Sequence, residues 1–259
     1  MTQPDPTTVP ERPPITEVVC GWIYDTLALD PLLLGIYWDQ RKDEFPRRQL
    51  QPAVFDGPAI VFGHGASRAM LDSADSSVLL QIQHDRFFMN WRGTGERYPR
   101  FTGGNGREGL LPRALSEFDR FGAFCEARLA ARPHVRRLEL TKVDRLRRGV
   151  DWSDLEDLGR LVPVTATFGP VHAHGRREIA LRFVERRGPE TVLISLQSLF
   201  DDPSGEMTAV QIETRVMREV EEGDDTSEMF RSLNQEANRV FFELVLDAAR
   251  FGIQRESLS

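Results

Sequence analysis

Val78–Arg92 reads VLLQIQHDRFFMNWR, and its apolar residues change parity midway: Val78, Leu80 and Ile82 are even-numbered, Phe87, Met89 and Trp91 odd. A single strand with this pattern sends half of them into water, because successive strand side chains point to opposite faces. A two-residue turn at His84-Asp85 removes the conflict. It sets Ile82 opposite Phe87, Leu80 opposite Met89 and Val78 opposite Trp91, so that all six share one face of a hairpin. Asp85, Arg86, Asn90 and Arg92 are left on the turn or the opposite face.

Working outward, ITEVVCGWIYD from Ile15 reads as a strand with Val19 and Ile23 among its buried candidates. Asp30-Pro31 supplies an N-cap and a first-turn proline for a helix through about Phe45, with Leu32, Leu33, Ile36 and Tyr37 on its inner face. Arg48–Phe55 is a short strand candidate, and 56–76, rich in glycine and small polar residues, reads as loop. Beyond the hairpin, residues 93–109 carry six glycines. They lead into a helix from about Leu111 to Arg132, where Leu115, Phe118, Phe121, Cys125 and Leu129 recur at helical spacing and Pro133 ends the run. HVRRLELTKVDRLRRG then reads as a strand burying Leu138 and Leu140.

The last third alternates. VPVTATF, EIALRFVE, ETVLISLQSLF and MTAVQIETRVM, separated by turn residues, predict a four-stranded meander. Asp225 or Thr226 caps a final helix with Phe230, Leu233, Ala237, Phe241, Leu244, Ala248 and Phe251 on one face, placed to cover it. The expected class is α+β, antiparallel sheets packed against helices. Residues 1–14, with five prolines, form an arm outside the core. An N-terminal lobe (15–150), a connector (151–160) and a C-terminal lobe (161–259) follow, as two bodies or one continuous sheet.

With 259 residues and 40% apolar content the chain can bury a large core. A net charge of −7 argues against wholesale coating of nucleic acid. Cys20 and Cys125 are too few for a disulfide framework or a cysteine zinc site and read as buried thiols in a reducing compartment. No segment approaches the roughly 20 apolar residues that span a bilayer, and the N-terminus lacks a leader pattern. The expected location is cytoplasmic. Arginine outnumbers lysine 31 to 2, which dilutes any argument from arginine density.

Candidate chemistry is sparse. His172 and His174 have the spacing of a metal pair but sit in a turn without a third ligand, so no metal or other cofactor is expected. GHGAS at 63–67 lacks the G-x-S-x-G register of a nucleophile elbow. Neither GTGERYPR nor GGNGRE has the lysine and hydroxyl of a phosphate loop. Asp201-Asp202 and Asp224-Asp225 read as turn and cap residues rather than an acid/base dyad. Between Arg128 and Arg148 eight basic residues face two acidic ones, and Arg136, Arg137, Lys142, Arg145, Arg147 and Arg148 form the strongest local charge signal. Asp151, Asp154, Glu156 and Asp157, immediately downstream, are available to pair with it.

PPITEVVCGWIYD, LLQIQHDRFFMNWR with YPRF after it, LELTKVDRL and FFELVLDAARFGI together resemble a sporadically distributed, uncharacterised family of bacterial proteins. That resemblance implies no active site, since the family has no established activity, and its patchy distribution implies genes that travel with mobile or defence loci. The residues point first to a non-enzymatic binding or assembly protein. Asp85, Arg86, Asn90, Arg92, Arg97, Tyr98, Arg100 and Phe101, with Trp91, would meet a protein partner, because aromatic residues and arginine often anchor interfaces. The alternative is a nucleic-acid-binding component that uses the Arg128–Arg148 cluster. No membrane partner is expected, and the oligomeric state is open.

Overall fold

A computed structural model of the chain describes residues 8–10, 12–53, 67–93, 98–103, 108–163, 178–201, 205–246, 251 and 253–255. In chain order the elements are β1 (Thr8–Pro10), β2 (Ile15–Tyr24), α1 (Pro31–Arg41), β3 (Arg47–Pro52), β4 (Ser67–Asp72), β5 (Val78–Gln83) and β6 (Arg86–Arg92). There follow α2 (Leu110–Leu129), β7 (Val135–Arg147), α3 (Leu155–Leu161), β8 (Ala180–Arg187), β9 (Glu190–Phe200), β10 (Met207–Glu219), α4 (Thr226–Leu244) and β11 (Ile253–Arg255). The class is α+β. Its described strands form a nine-stranded antiparallel sheet in the order β3-β4-β5-β6-β2-β7-β10-β9-β8, and β1 pairs separately with β11.

The hairpin has the register that its parity requires. Val78 pairs with Trp91, Leu80 with Met89 and Ile82 with Phe87, and all six are buried.

The chain divides into two compact units, one of residues 17–139 and 218–230, the other of 1–16, 140–217 and 231–259. In the first, the buried side of β2 is Val18, Cys20, Trp22 and Tyr24; Val19 and Ile23 are only half-buried, which corrects the expected parity. Both sides of this strand are apolar, so alternation alone does not choose between them. Trp22 decides it, stacking on Phe118 at 4.6 Å and meeting Phe87 at 5.8 Å and Phe230 at 4.9 Å edge-on. Asp30 caps α1 by accepting from Leu33 N at 2.8 Å. The helix stops at Arg41, short of Phe45, and buries Leu34 and Tyr37 while Leu32 and Ile36 stay exposed. Its first two turns are apolar all round, so periodicity misplaces the inner face. Segment 56–76 is not all loop: Ser67–Asp72 is β4, paired with both β3 and β5, its Ala69 and Leu71 buried. Helix α2 ends at Ala130, in the left-handed conformation (φ 51°), ahead of Pro133.

In the second unit β8, β9 and β10 form a meander. Val164–Phe168 of the first expected strand lies outside the described residues. Val192, Ile194 and Leu196 of β9 share a buried face with Val210, Ile212 and Val216 of β10. α4 lies against this meander: Ser232 donates to Glu190 at 3.3 Å, and Arg187 of β8 reaches Glu236 at 3.2 Å and Glu243 at 2.8 Å. Asp225 is the cap of α4, accepting from Ser227 N and Glu228 N at 2.7 and 3.1 Å. Leu233, Ala237 and Phe241 are buried as expected, Ala248 lies outside the described residues, and Phe251 is buried beyond the helix end. The expected connector contains α3, capped by Asp154.

Candidate functional site

The hairpin that buries Val78, Leu80, Ile82, Phe87, Met89 and Trp91 necessarily turns Gln81, Gln83, Arg86, Asn90 and Arg92 to the other side of the sheet. There they do not stand alone. Arg68 of β4 donates from Nη2 to Gln51 Oε1 of β3 at 2.6 Å and from Nη1 to Gln81 Oε1 of β5 at 3.0 Å. Gln81 Nε2 donates to Asn90 Oδ1 of β6 at 2.9 Å, and Asn90 Nδ2 to Glu17 Oε1 of β2 at 2.6 Å. One polar chain thus crosses five strands. Mutual hydrogen bonding offsets the cost of covering these groups, since Asn90 is buried and Glu17, Arg68 and Gln81 are half-buried.

Charge is unevenly matched along this face. Arg86, buried, holds Asp85 through Nε at 3.2 Å and Nη2 at 2.9 Å, and Gln83 Nε2 donates to the same carboxylate at 2.5 Å. Burial works to raise the Asp85 carboxyl, but the bonds from Arg86 and Gln83 outweigh it and hold it below its ordinary value. Arg92 pairs with Asp72, which Arg47 also approaches at 3.5 Å. Arg68 differs: its partners are neutral amides, and among the described residues no carboxylate pairs with it. Partial burial, and then the nearby Arg86 charge, lower its pKa.

Of the residues expected to meet a partner, Asp85, Arg86, Asn90 and Arg92 therefore come together on one face, but Arg86 and Asn90 are buried rather than exposed. Trp91 and Phe101 are buried too, and Tyr98 packs edge-on against Trp91 at 5.3 Å. The Arg100 and Phe101 carbonyls accept from Leu110 N and Leu111 N at 3.1 and 2.9 Å, capping α2, which has no side-chain cap. Arg100 has φ 66° there. The exposure expected of this loop is thus corrected: its aromatic residues pack and its backbone ends a helix. Arg97 lies outside the described residues. Arg68, Gln51 and Glu17 carry no local signal in the sequence, because only the pairing of β3, β4 and β2 with the hairpin aligns them.

The basic cluster lies on and just beyond β7. Arg136 grips Asp25 at 2.8 and 2.9 Å, Arg137 bonds Glu139 at 3.1 and 2.9 Å, and Arg148 approaches Glu206 at 3.4 Å. Asp25, Glu139 and Glu206 thus pair with cluster arginines, Asp151 accepts from Arg147 N, and Asp154 caps α3. Lys142 is buried, donating to Asn238 Oδ1 at 2.5 Å, with Asp144 buried on the same side of β7. The side chains of Arg145 and Arg147 are exposed. Among the described residues no three histidine, cysteine, aspartate or glutamate side chains gather as a metal ion requires; His172 and His174 lie outside those residues. No described helix is long and apolar enough to cross a membrane. Comparison of the chain with protein-family models, curated proteins and solved structures yields no match.

Proposed function

We propose that the protein acts by binding rather than by catalysis, and that the polar side of the residue 17–139 sheet is where a protein partner docks. The observation that carries this reading is the Gln51-Arg68-Gln81-Asn90-Glu17 chain. A sheet face that needed only to be soluble has no use for linked, half-buried amides and guanidinium groups, whereas a preorganised contact surface does. We place the protein in the reducing cytoplasm, consistent with its two buried free thiols. The nucleic-acid reading draws less support, because among the described residues only Arg145 and Arg147 of the six cluster cations are exposed without a carboxylate partner.

Native protein purified at low salt tests the reading by its mass and its absorbance ratio. The expected result is a complex with a second protein, free of nucleic acid. Arg92→Ala, which leaves Asp72 its second partner Arg47, should lose that complex without a change in melting temperature, while Leu32→Ser on the exposed side of α1 keeps it. A wild-type monomer with no specific partner, or a complex that survives Arg92→Ala, refutes it. Bound nucleic acid released by charge reversal at Arg145 and Arg147 would establish the alternative instead.

A further inference from the structure

We propose that Arg68, with Asp85-paired Arg86 two strands away, is a receptor for an acidic side chain of the docking partner; this rests on the binding reading above. Pairing places the two arginines. Ala69 is opposite Ile82, so the next step of that register sets Arg68 opposite Gln83, and Gln83 is opposite Arg86. The three side chains rise from adjacent strands on the same face, the two arginines roughly 9–10 Å apart at the backbone. Gln83, on the strand between them, is fully buried.

The charge at this place is in surplus. Asp85 answers Arg86, which leaves the Arg68 cation with Gln51 and Gln81 as its hydrogen-bond partners among the described residues. Two of its five N–H groups are used there, and Nε is shielded from solvent with no acceptor among the described residues. Holding a half-buried cation beside a like charge is unfavourable in the free protein, which is the arrangement expected where an anion completes the site. A planar carboxylate matches the guanidinium fork in shape and charge. The flanking glutamines hold that fork in place.

The test titrates purified full-length protein with an acetylated hexaglutamate peptide and, separately, with inorganic phosphate, following binding by calorimetry and stability by thermal melting. Wild type should bind the peptide, more weakly as salt rises, and in preference to phosphate. Arg68→Gln should weaken peptide binding about tenfold or more while its melting temperature holds or rises, because a surplus cation is removed. Arg68→Lys, which keeps the charge but loses the fork, should fall between them. The proposal is overturned by a wild type indifferent to the peptide, by equal binding in Arg68→Gln, or by tighter binding of phosphate. It is also overturned by a melting temperature that drops in Arg68→Gln, since that assigns Arg68 a structural role. A wild type that holds its partner but ignores the peptide removes only the carboxylate receptor; one that holds neither removes the binding reading as well.

Discussion

Glu117→Ala is expected to be among the most damaging single substitutions outside the aromatic core. Glu117 of α2 and Arg41 at the end of α1 are both buried, and they meet through two parallel bonds, Nη1 to Oε2 at 2.7 Å and Nη2 to Oε1 at 3.0 Å. Each charge-assisted bond contributes about 1.5–3 kcal/mol. Truncation does more than delete them, because it strands the guanidinium with the Tyr37 hydroxyl at 3.2 Å and the half-exposed Glu44 at 3.0 Å. Breaking a buried ion pair by removing one partner costs about 3–5 kcal/mol, a large part of the roughly 5–15 kcal/mol that stabilises a typical domain. Urea unfolding measures it as a drop in midpoint at unchanged slope. The double variant Arg41→Met/Glu117→Leu removes both charges and should recover most of the loss. A Glu117→Ala protein within about 1 kcal/mol of wild type, or a double variant that merely sums the two single losses, would refute this account of the pair.

Two further outcomes follow from particular positions. Burial pushes the Asp144 carboxyl up to about 7, against the opposing pull of Lys142. The folded chain therefore holds a proton between its ordinary carboxylate range and neutrality that the unfolded chain has released. Stability contributed by Asp144 is thus present at low pH and declines as pH rises towards 7; comparing urea midpoints at pH 5 and pH 8 should show a decline that is smaller in Asp144→Asn, and an identical decline in both proteins would disprove the assignment. At Gly21 an added Cβ would lie 2.4 Å from Phe88 Cε1 and 2.5 Å from Cδ1. Gly21→Ala should cost about 1–3 kcal/mol by overpacking, and much less in a Phe88→Leu background; equal cost in both backgrounds would show that the ring is not the obstacle.

What the sequence discloses, and where it falls silent, has a physical pattern. The hairpin register is legible because its two halves are contiguous and each has one apolar side, so a single turn position satisfies both. In β2 the apolar residues Val18, Val19, Trp22 and Ile23 occupy both sides, and only the stack of Trp22 on Phe118, distant in sequence, decides which is core. In α1 the run of leucines blurs the helical stripe in the same way. β4 escapes notice because SRAMLD offers just two buried residues amid a polar stretch. At the candidate site Asn90 and Arg92 are placed on the right face by parity alone. Their partners Glu17 and Asp72 belong to other strands, and nothing local marks those strands as neighbours.

The division of the hairpin between two faces also constrains how this segment can change over time. Individual letters on either side tolerate exchange for others of like size or polarity, but length does not. A one-residue insertion or deletion within β6 would exchange the roles of its alternating side chains, sending Phe87, Met89 and Trp91 outward and Arg86, Asn90 and Arg92 into the aromatic interior. Core and polar face would fail together, so descendants of this chain should vary in the spelling of the hairpin while its residue count stays fixed.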